Sequence, residues 1–153
     1  MNKNPETLWL ENQICFPIYA ASRMVTKLYT PLLSQLDITY PQYLVLLVLW
    51  KQDQRTVSEI SQQIHLESNT LTPILKRMQA KGLLERKRSE KDERSVVISL
   101  TKKGKALQKE ALCIPEKIVE QFGSEQVKTE EIHQLKDTLT KLTELLGNKL
   151  EAV

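Results

Sequence analysis

The sequence contains little glycine, cysteine and aromatic side chain: four glycines, two cysteines and 5% aromatic residues in a chain of 153. Two cysteines are too few for the disulfide framework of a small secreted domain. With so little glycine and abundant Leu, Lys, Glu and Gln, the composition indicates a mainly helical protein, either a single domain or one protomer of an oligomer.

Two further absences bear on location and cofactors. The longest apolar run, Tyr43–Trp50, is too short to span a bilayer, and the polar start Met1–Thr7 does not resemble a signal peptide. We therefore expect a cytoplasmic protein with no membrane partner. Because His65 and His133 lack ligand partners nearby in the sequence, we expect no metal and no cofactor.

Apolar residues recur at helical spacing along most of the chain. A long N-terminal helix is predicted over about Leu8–Leu36, with a bend at Pro17. Thr39 is expected to cap a second helix over Gln42–Lys51, whose apolar character all round is typical of the buried centre of a domain. The stretch Thr56–Glu59 is a capping box that begins a third, short helix.

The stretch Ser68–Gly82 has the pattern of an amphipathic helix with a positively charged face. Its apolar residues recur at i, i+3, i+4 and i+7, and Ser68 or Asn69 is expected to cap its start. Short hydroxyls near the start and cations further along suit the major groove of DNA, where hydroxyls reach base edges and cations meet phosphates. An ordinary surface helix has the same pattern, so the residues that follow are needed to decide.

A charged β-hairpin is predicted directly after that helix. Val96, Ile98 and Leu100 alternate as in a half-buried strand, and the polar stretch Ser89–Ser95 supplies the turn. Within Ser68–Arg94 there are eight Lys or Arg and four acidic residues, a net charge of +4, whereas the whole chain carries +3. Positive charge is therefore concentrated in this segment, as expected of a nucleic-acid interface.

Helix, tight link, basic helix and charged hairpin make the layout of a winged helix-turn-helix, so the fold class is mainly α with a small β-hairpin wing. Two hydroxyls near the helix start, those of Thr70 and Thr72, are expected at base edges, and Ser68 is also expected among the DNA-binding residues. Phosphate contacts are expected from Lys76, Arg77, Arg86 and Arg88. At the hairpin tip we expect Arg94 to enter a minor groove and Asp92 to orient a nearby arginine by a bidentate pair.

The helices that flank this region are expected to form a dimer. Thr101 caps a helix that runs to about Phe122 and is interrupted at Pro115. The last helix carries an a/d seam of the kind that pairs with other helices, made of Ile132, Leu135, Leu139, Leu142 and Leu146. We assign residues 1–36 and 101–153 to dimerisation and residues 37–100 to DNA binding, because a twofold protein reads two half-sites.

A set of motifs together resembles the MarR family of bacterial repressors. They are Leu49-Trp50, Thr56-Val57, Thr70-Leu71-Thr72-Pro73, Lys76-Arg77-Met78, Gly82-Leu83, Asp92-Glu93-Arg94 and Leu100-Thr101. The organic hydroperoxide resistance repressors of that family (OhrR type) are matched by Gln13-Ile14-Cys15-Phe16, Tyr19, Tyr29 and Thr39-Tyr40-Pro41-Gln42-Tyr43. The resemblance implies a homodimeric repressor that leaves double-stranded operator DNA when an organic hydroperoxide oxidises Cys15.

Redox chemistry at Cys15 requires a thiolate, whereas a lone cysteine on an apolar helix is usually an inert small hydrophobe. No cation stands beside it in the sequence and Glu11 would oppose ionisation, so phenol O–H groups and a helix N-terminus remain as means of holding the thiolate. Tyr19 lies one turn further on, but Tyr29 lies fourteen residues on, about 21 Å along a straight helix. If Tyr29 and Tyr40 support the thiolate, we expect them from the other subunit, as the resemblance also implies.

The role of the second cysteine and the nature of the trigger stay open. Some proteins of the resembled group trap the oxidised sulfur with a second cysteine of the partner subunit, but that cysteine follows a proline, whereas Cys113 precedes Pro115. A small external thiol is the alternative, which would leave Cys113 as packing. Release by a small aromatic acid would keep the same fold, and a thiol peroxidase is disfavoured because no C-x-x-C motif is present.

Overall fold

The computed structural model describes residues 4–89, 92, 94–122 and 127–151. Within them the chain is mainly helical with one small antiparallel sheet, and two short 3₁₀ turns, Pro5–Leu8 and Leu10–Asn12, precede the first long helix. The helices are α1 (Cys15–Gln35), α2 (Tyr40–Lys51), α3 (Val57–Ile64), α4 (Ser68–Ala80), α5 (Lys102–Ala111), α6 (Ile114–Phe122) and α7 (Thr129–Glu151), and the strands are β1 (Arg55–Thr56), β2 (Leu84–Arg88) and β3 (Val96–Leu100). This confirms the predicted winged helix-turn-helix. Among the described residues no single helix has the length and apolar character to span a bilayer, although α1 and α2, bent by 75°, have them as a pair.

The predicted hairpin of β2 and β3 is joined by a third strand that the sequence did not indicate. The strand order is β1–β3–β2 and both pairings are antiparallel. β1 has only two residues, too few for an alternating pattern, and pairs Arg55 with Ile98. Leu84, Ile98 and Leu100 are buried. The base of the wing is therefore held by the core and by the strand that immediately precedes α3.

The core forms around α2, as its apolar sequence predicts. Leu46 and Leu49 of α2 are almost fully buried, as are Leu71, Leu75 and Met78 of α4, which packs against α2. Burying one such side chain stabilises the fold by about 1.5–3 kcal/mol. The buried side of α4 therefore determines which side of this helix faces solvent.

The first long helix begins at Cys15, so the predicted start at Leu8 was wrong. Local hydrogen bonds hold the preceding residues in 3₁₀ turns; the Gln13 side chain, for example, donates to the Thr7 carbonyl oxygen at 2.6 Å. Pro17 consequently lies in the first helical turn, where proline is tolerated because its missing N–H would have no helical partner. The bend expected within a longer helix at Pro17 does not arise.

The start of α4 also differs from the prediction. Glu67 occupies the N-cap position without a side-chain bond, and Ser68 is already the first helical residue, so neither Ser68 nor Asn69 is the cap. His65 ends α3 in the left-handed conformation, and the chain turns into α4 after only two more residues. Pro73 lies inside α4, where it leaves the Asn69 carbonyl without its usual helical donor.

Polar bonds join α5 and β3 to α2 and to the turn that follows it. Trp50 Nε1 donates to the Gly104 carbonyl oxygen at 2.9 Å. Asp53 Oδ1 accepts from the Leu100 N–H at 2.9 Å, and its Oδ2 lies 3.2 Å from Lys105 Nζ. Burial acts to raise the pKa of Asp53, but hydrogen bonds from backbone N–H groups and the charge of Lys105 outweigh it and hold the pKa below its usual value.

Residues 113–153 form a second compact unit that contains α6 and α7. The break between α5 and α6 lies at Leu112 and Cys113, just before the interruption predicted at Pro115. On α7 the predicted seam remains partly open in the single chain, with Ile132, Leu139 and Leu142 half-buried and Leu135 and Leu146 exposed.

Gly104→Ala is expected to lower the free energy of unfolding by about 2–3 kcal/mol, measured by urea denaturation. An added Cβ would collide with the Leu83 carbonyl oxygen and come within 3.1 Å of Leu100 Cδ2, and backbone cannot yield as a side chain does. Gly147→Ala on α7 is the control, because nothing lies within 4 Å of its added Cβ and helix propensity favours alanine by up to about 1 kcal/mol. Equal stability of the two variants would contradict the close approach at Gly104.

Candidate thiol site and nucleic-acid interface

Cys15 is the first residue of α1, and its side chain is exposed. No side chain caps this helix start, so the positive end of the helix is open to a negative charge beside the sulfur. Glu11, expected one helical turn before Cys15, lies instead in the 3₁₀ turn Leu10–Asn12. Cys15 thus lies at a helix N-terminus, which is one of the two means of holding a thiolate that the sequence left open.

Tyr19 lies one turn after Cys15 on α1 and is held by Arg23. Arg23 Nη1 donates to Tyr19 Oη at 2.9 Å, and Arg23 Cζ lies 5.6 Å from the centroid of the phenol ring. Because a guanidinium group only donates, this bond leaves the phenol hydrogen of Tyr19 available as a donor. None of the hydrogen bonds among the described residues involves the Cys15 sulfur.

Tyr29 and Tyr40 pack together, with Tyr43 beside them. The ring centroids of Tyr29 and Tyr40 are 4.9 Å apart in an edge-to-face arrangement, and the Tyr43 ring lies 5.9 Å from that of Tyr29. Burial raises the pKa of all three phenols, and for Tyr29 and Tyr43 the neighbouring phenols add to the increase. All three therefore stay protonated near neutral pH and can donate hydrogen bonds. Tyr43 belongs to the motif that resembles the OhrR type but was not predicted as a redox-site residue, although it follows Tyr40 by three residues on the same side of α2.

An uninterrupted stretch of α1 separates these phenols from the sulfur of the same chain. Tyr29 follows Cys15 by fourteen residues, about 21 Å along the helix. Pro17 lies in the first helical turn, where it causes no bend, and Pro31 comes after Tyr29, so neither proline folds the intervening stretch back. One protomer therefore brings Tyr29 and Tyr40 together but brings neither of them to its own Cys15.

Helix α4 has the two sides that its sequence predicts. Its apolar side chains are buried: Leu71, Ile74, Leu75 and Met78. Of the predicted DNA-binding residues of α4, Thr72 is half-buried, and Ser68, Thr70, Lys76 and Arg77 are exposed. The hydroxyl of Thr72 donates to the Ser68 carbonyl oxygen at 2.7 Å, so its oxygen remains available as an acceptor. The residues predicted for base edges and for phosphates thus share the solvent-facing side.

A cavity of about 300 Å³ lies between the start of α3, the start of α4 and the wing. It brings together four of the predicted DNA-binding residues, Ser68, Thr72, Arg86 and Arg94. Arg86 Nε is buried and has no hydrogen-bond partner among the described residues. Two guanidinium groups beside hydroxyls suit an anionic oxygen such as that of a phosphate. Other lining hydroxyls come from Thr56, Ser58 and Ser95, of which the sequence marks only Thr56, through its capping box.

Asp92 builds the wing tip and does not pair with an arginine side chain. Its Oδ2 accepts from the Ser95 hydroxyl at 2.6 Å and its Oδ1 from the Arg94 N–H at 3.0 Å. These two bonds, that from Ser95 first, hold the pKa of Asp92 below its usual value. No ion pair of Asp92 occurs within the part of the chain that the structure describes, so the predicted bidentate pair was wrong. An aspartate in a tight turn instead bonds the backbone two residues further on.

Three further expectations concern Arg88, Cys113 and metal binding. Arg88 is exposed at the end of β2, next to the hairpin tip. Cys113 is exposed between α5 and α6, in the second compact unit. Nowhere in the described ranges do three or more His, Cys, Asp or Glu side chains group closely enough to hold a metal ion.

Comparison with known proteins identifies the family. The family model of the transcriptional regulator SarA/Rot matches residues 27–111. The organic hydroperoxide resistance transcriptional regulator of Bacillus subtilis (strain 168) is 52% identical over 140 residues, which cover 92% of this chain and 93% of that protein.

Two solved structures of AbfR, a protein of Staphylococcus epidermidis, have the same fold. Reduced AbfR bound to DNA superposes with a TM-score of 0.76 at 35% identity, covering 95% of this chain and 98% of that chain. Disulfide-formed AbfR has a TM-score of 0.59 at 36% identity, covering 95% of both chains. The chain therefore belongs to the MarR family of transcriptional regulators and, within it, to the organic hydroperoxide resistance type that its motifs resemble.

Proposed function

We propose that this protein is a homodimeric repressor that leaves its operator DNA when an organic hydroperoxide oxidises Cys15. The observation that carries the proposal is the exposed position of Cys15 at the uncapped start of α1, in a chain 52% identical to an organic hydroperoxide resistance regulator. The similar protein AbfR has been solved reduced on DNA and in a disulfide form, so oxidation state varies among its structures. In this proposal the protein acts in the cytoplasm and needs no cofactor.

The charged side of α4 and the wing together fit double-stranded DNA. α4 would enter a major groove with its hydroxyls towards base edges, namely Ser68, Thr70 and Thr72. Phosphates would be contacted by Lys76, Arg77, Arg86 and Arg88. The Arg94 side chain would enter the neighbouring minor groove, where the negative potential attracts guanidinium. The cavity lined by Arg86 and Arg94 supports this arrangement because its donors suit a phosphate oxygen.

A second copy of the chain would cover apolar surface that one protomer leaves open. Leu8 and Ile14, just before α1, are 84% and 79% exposed. On α7, Leu135 and Leu146 are 56% and 48% exposed. A partner subunit that buried these side chains would gain about 25 cal/mol for each Å² of apolar surface removed from water. We therefore assign residues 1–36 and 101–153 to dimerisation and residues 37–100 to DNA binding.

The thiol site would be completed only in that dimer. Because Tyr29 lies about 21 Å from Cys15 along α1, phenols that support the thiolate would come from the partner subunit. The raised pKa values of Tyr29 and Tyr40 keep both as O–H donors, and a thiolate is an acceptor that such donors stabilise. Tyr19 would add a donor from the same helix as the sulfur. Oxidation at this interface would then change the separation of the two DNA-reading helices.

The proposed chemistry is a two-electron oxidation of sulfur. The Cys15 thiolate attacks the terminal oxygen of the hydroperoxide ROOH, the O–O bond breaks, and an S–O bond forms. The sulfur becomes a sulfenic acid, and the alkoxide RO⁻ leaves and takes up a proton to give ROH. A second thiol, from Cys113 or a small cellular thiol, then attacks the sulfenic sulfur, so that a disulfide forms and water leaves. Oxidation beyond the sulfenic acid to the sulfinic acid is irreversible without a dedicated enzyme.

Cys15→Ser is expected to bind operator DNA as the wild type does but to stay bound after treatment with cumene hydroperoxide, because serine is not oxidised by peroxides. Wild type should lose at least about tenfold in affinity, measured by fluorescence anisotropy of labelled operator. Cys113→Ser is the matched control, since it keeps Cys15 and should still release DNA when a small thiol is present. If peroxide still released Cys15→Ser from DNA, the proposal would be contradicted. If a small aromatic acid released Cys15→Ser from DNA, the ligand-triggered alternative would be favoured.

Non-reducing electrophoresis of the same oxidised samples separates the two fates of the sulfenic acid. A covalent dimer band in the wild type that is lost in both Cys15→Ser and Cys113→Ser shows an intersubunit disulfide. A band that stays monomeric, and whose mass by mass spectrometry increases by that of the small thiol less two hydrogens, shows the external reaction instead. Either result is compatible with oxidation at Cys15, so this measurement assigns the role of Cys113 alone.

Asp92→Ala is expected to weaken operator binding about tenfold, because both bonds that order the wing tip around Arg94 are lost. Asp137→Ala, which removes an exposed acid from α7, is the control for the change in net charge. If the Asp92 carboxylate acted only as a negative charge near DNA, its removal would strengthen binding. Tighter binding of Asp92→Ala, in the same anisotropy measurement, would therefore contradict the structural role.

A further inference from the structure

We propose that Lys81 is the positioning residue that joins the cysteine-bearing helix α1 to the DNA-reading helix α4 and carries the redox signal between them. The inference rests on the proposed function, because it needs oxidation at Cys15 to change DNA binding. It concerns two residues, Lys81 and Asp37, that no motif of the sequence indicates and whose hydrogen bonds and ion pair, among the described residues, do not involve the sulfur or the phenols.

The bond itself joins the ends of two helices. Lys81 is the C-cap of α4, and Asp37 lies in the turn that follows α1. Lys81 Nζ lies 2.9 Å from Asp37 Oδ1 and also donates to the Asp37 carbonyl oxygen. One ammonium group thus holds both the backbone and the side chain of a residue just beyond α1. The side chain of Lys81 is 32% exposed, whereas that of Asp37 is 87% exposed, so water reaches the ion pair from the Asp37 side.

Asp37 is firmly attached to α1. Its own N–H donates to the Ser34 carbonyl oxygen, and the Ile38 N–H donates to that of Leu33, so the turn is bonded back onto the last helical turn. Asp37 has a φ of 51°, a left-handed conformation that aspartate tolerates better than most residues. The 21 residues of α1 span about 31 Å as one helix. A displacement of the Cys15 end of α1 would therefore also move Asp37.

The end of α4 is held from α5 as well. Lys103 Nζ donates to the Lys81 carbonyl oxygen at 2.9 Å, and the Thr101 hydroxyl donates to that of Gly82 at 2.6 Å. Cations and donors at this place also suit the partial negative charge of a helix C-terminus. The last turn of α4 is thus a junction of α4 with α1 on one side and α5 on the other.

Lys81 is the direct polar connection between the two helices of interest. Within the described residues, no other side-chain hydrogen bond or ion pair joins the first 39 residues of the chain to α4. Energetic coupling between distant sites requires contacts that differ between two arrangements. A bond between helix ends that can break or shift when α1 moves supplies such a contact, and its loss would uncouple α4 from the state of Cys15.

The test is the ratio of the dissociation constants for operator DNA of the peroxide-treated and the reduced protein. Lys81→Met should reduce this ratio at least fivefold relative to wild type. Lys76→Met removes one exposed cation of the same helix. It should raise both dissociation constants by the same factor and leave their ratio unchanged. Lys81→Arg should restore most of the ratio, because arginine keeps the charge and donates to two acceptors. Cys15 oxidation, followed by mass spectrometry, should proceed at the wild-type rate in every variant.

Each outcome decides a separate claim. A wild-type ratio near one would contradict the proposed function and not the role of Lys81. A normal ratio in Lys81→Met, with a large ratio in wild type, would overturn the role of Lys81 and leave the proposed function standing. Should Lys81→Met fail to fold, Lys81→Gln decides, because its shorter, uncharged side chain cannot hold both acceptors of Asp37. A ratio within twofold of wild type in a folded Lys81→Gln protein would then overturn the inference.

Discussion

One unbroken stretch of helix separates Cys15 from Tyr29, and the proposed switch depends on this separation. About 21 Å of α1 lies between them, so a single protomer holds a thiol and a set of protonated phenols without joining the two. In a dimer with a twofold axis, the phenols of each subunit would lie beside the Cys15 of the other, so the dimer would hold two such sites. The sensor would then exist only in the assembled dimer, and its chemistry would respond to the arrangement of the subunits.

The DNA-reading side depends on apolar packing and on bonds at its edges. Leu71, Leu75 and Met78 fix the buried side of α4, so the hydroxyls and cations of the opposite side face solvent together. The wing is attached to the same region by β1 and by the carboxylate of Asp53. Both contacts hold the base of the wing, and residues of the wing line the same cavity as the start of α4.

Much of this could be predicted because it is encoded locally. The capping box at Thr56 and Glu59 forms as expected, and so do the buried side of α4 and the hairpin, since each depends on residues close in sequence. The start of α1 was missed because helical periodicity continues through residues that local bonds hold in 3₁₀ turns. The bond between Asp37 and Lys81 spans 44 residues and leaves no pattern in the sequence. Asp92 accepts from the backbone N–H of Arg94 because of the geometry of the turn, which cannot be deduced from composition.

The reactivity of Cys15 in mixed dimers tests the trans arrangement most directly. One heterodimer pairs a Cys15→Ser subunit with a subunit that keeps Cys15 and carries Tyr29→Phe and Tyr40→Phe; the other pairs a native subunit with one carrying all three changes. Each has a single Cys15, whose oxidation by cumene hydroperoxide is followed by mass spectrometry. We expect the first heterodimer to react at the wild-type rate per thiol and the second about tenfold more slowly, because only there does the partner lack the phenols. Slow oxidation in the first heterodimer and normal oxidation in the second would contradict a thiolate held by the partner subunit.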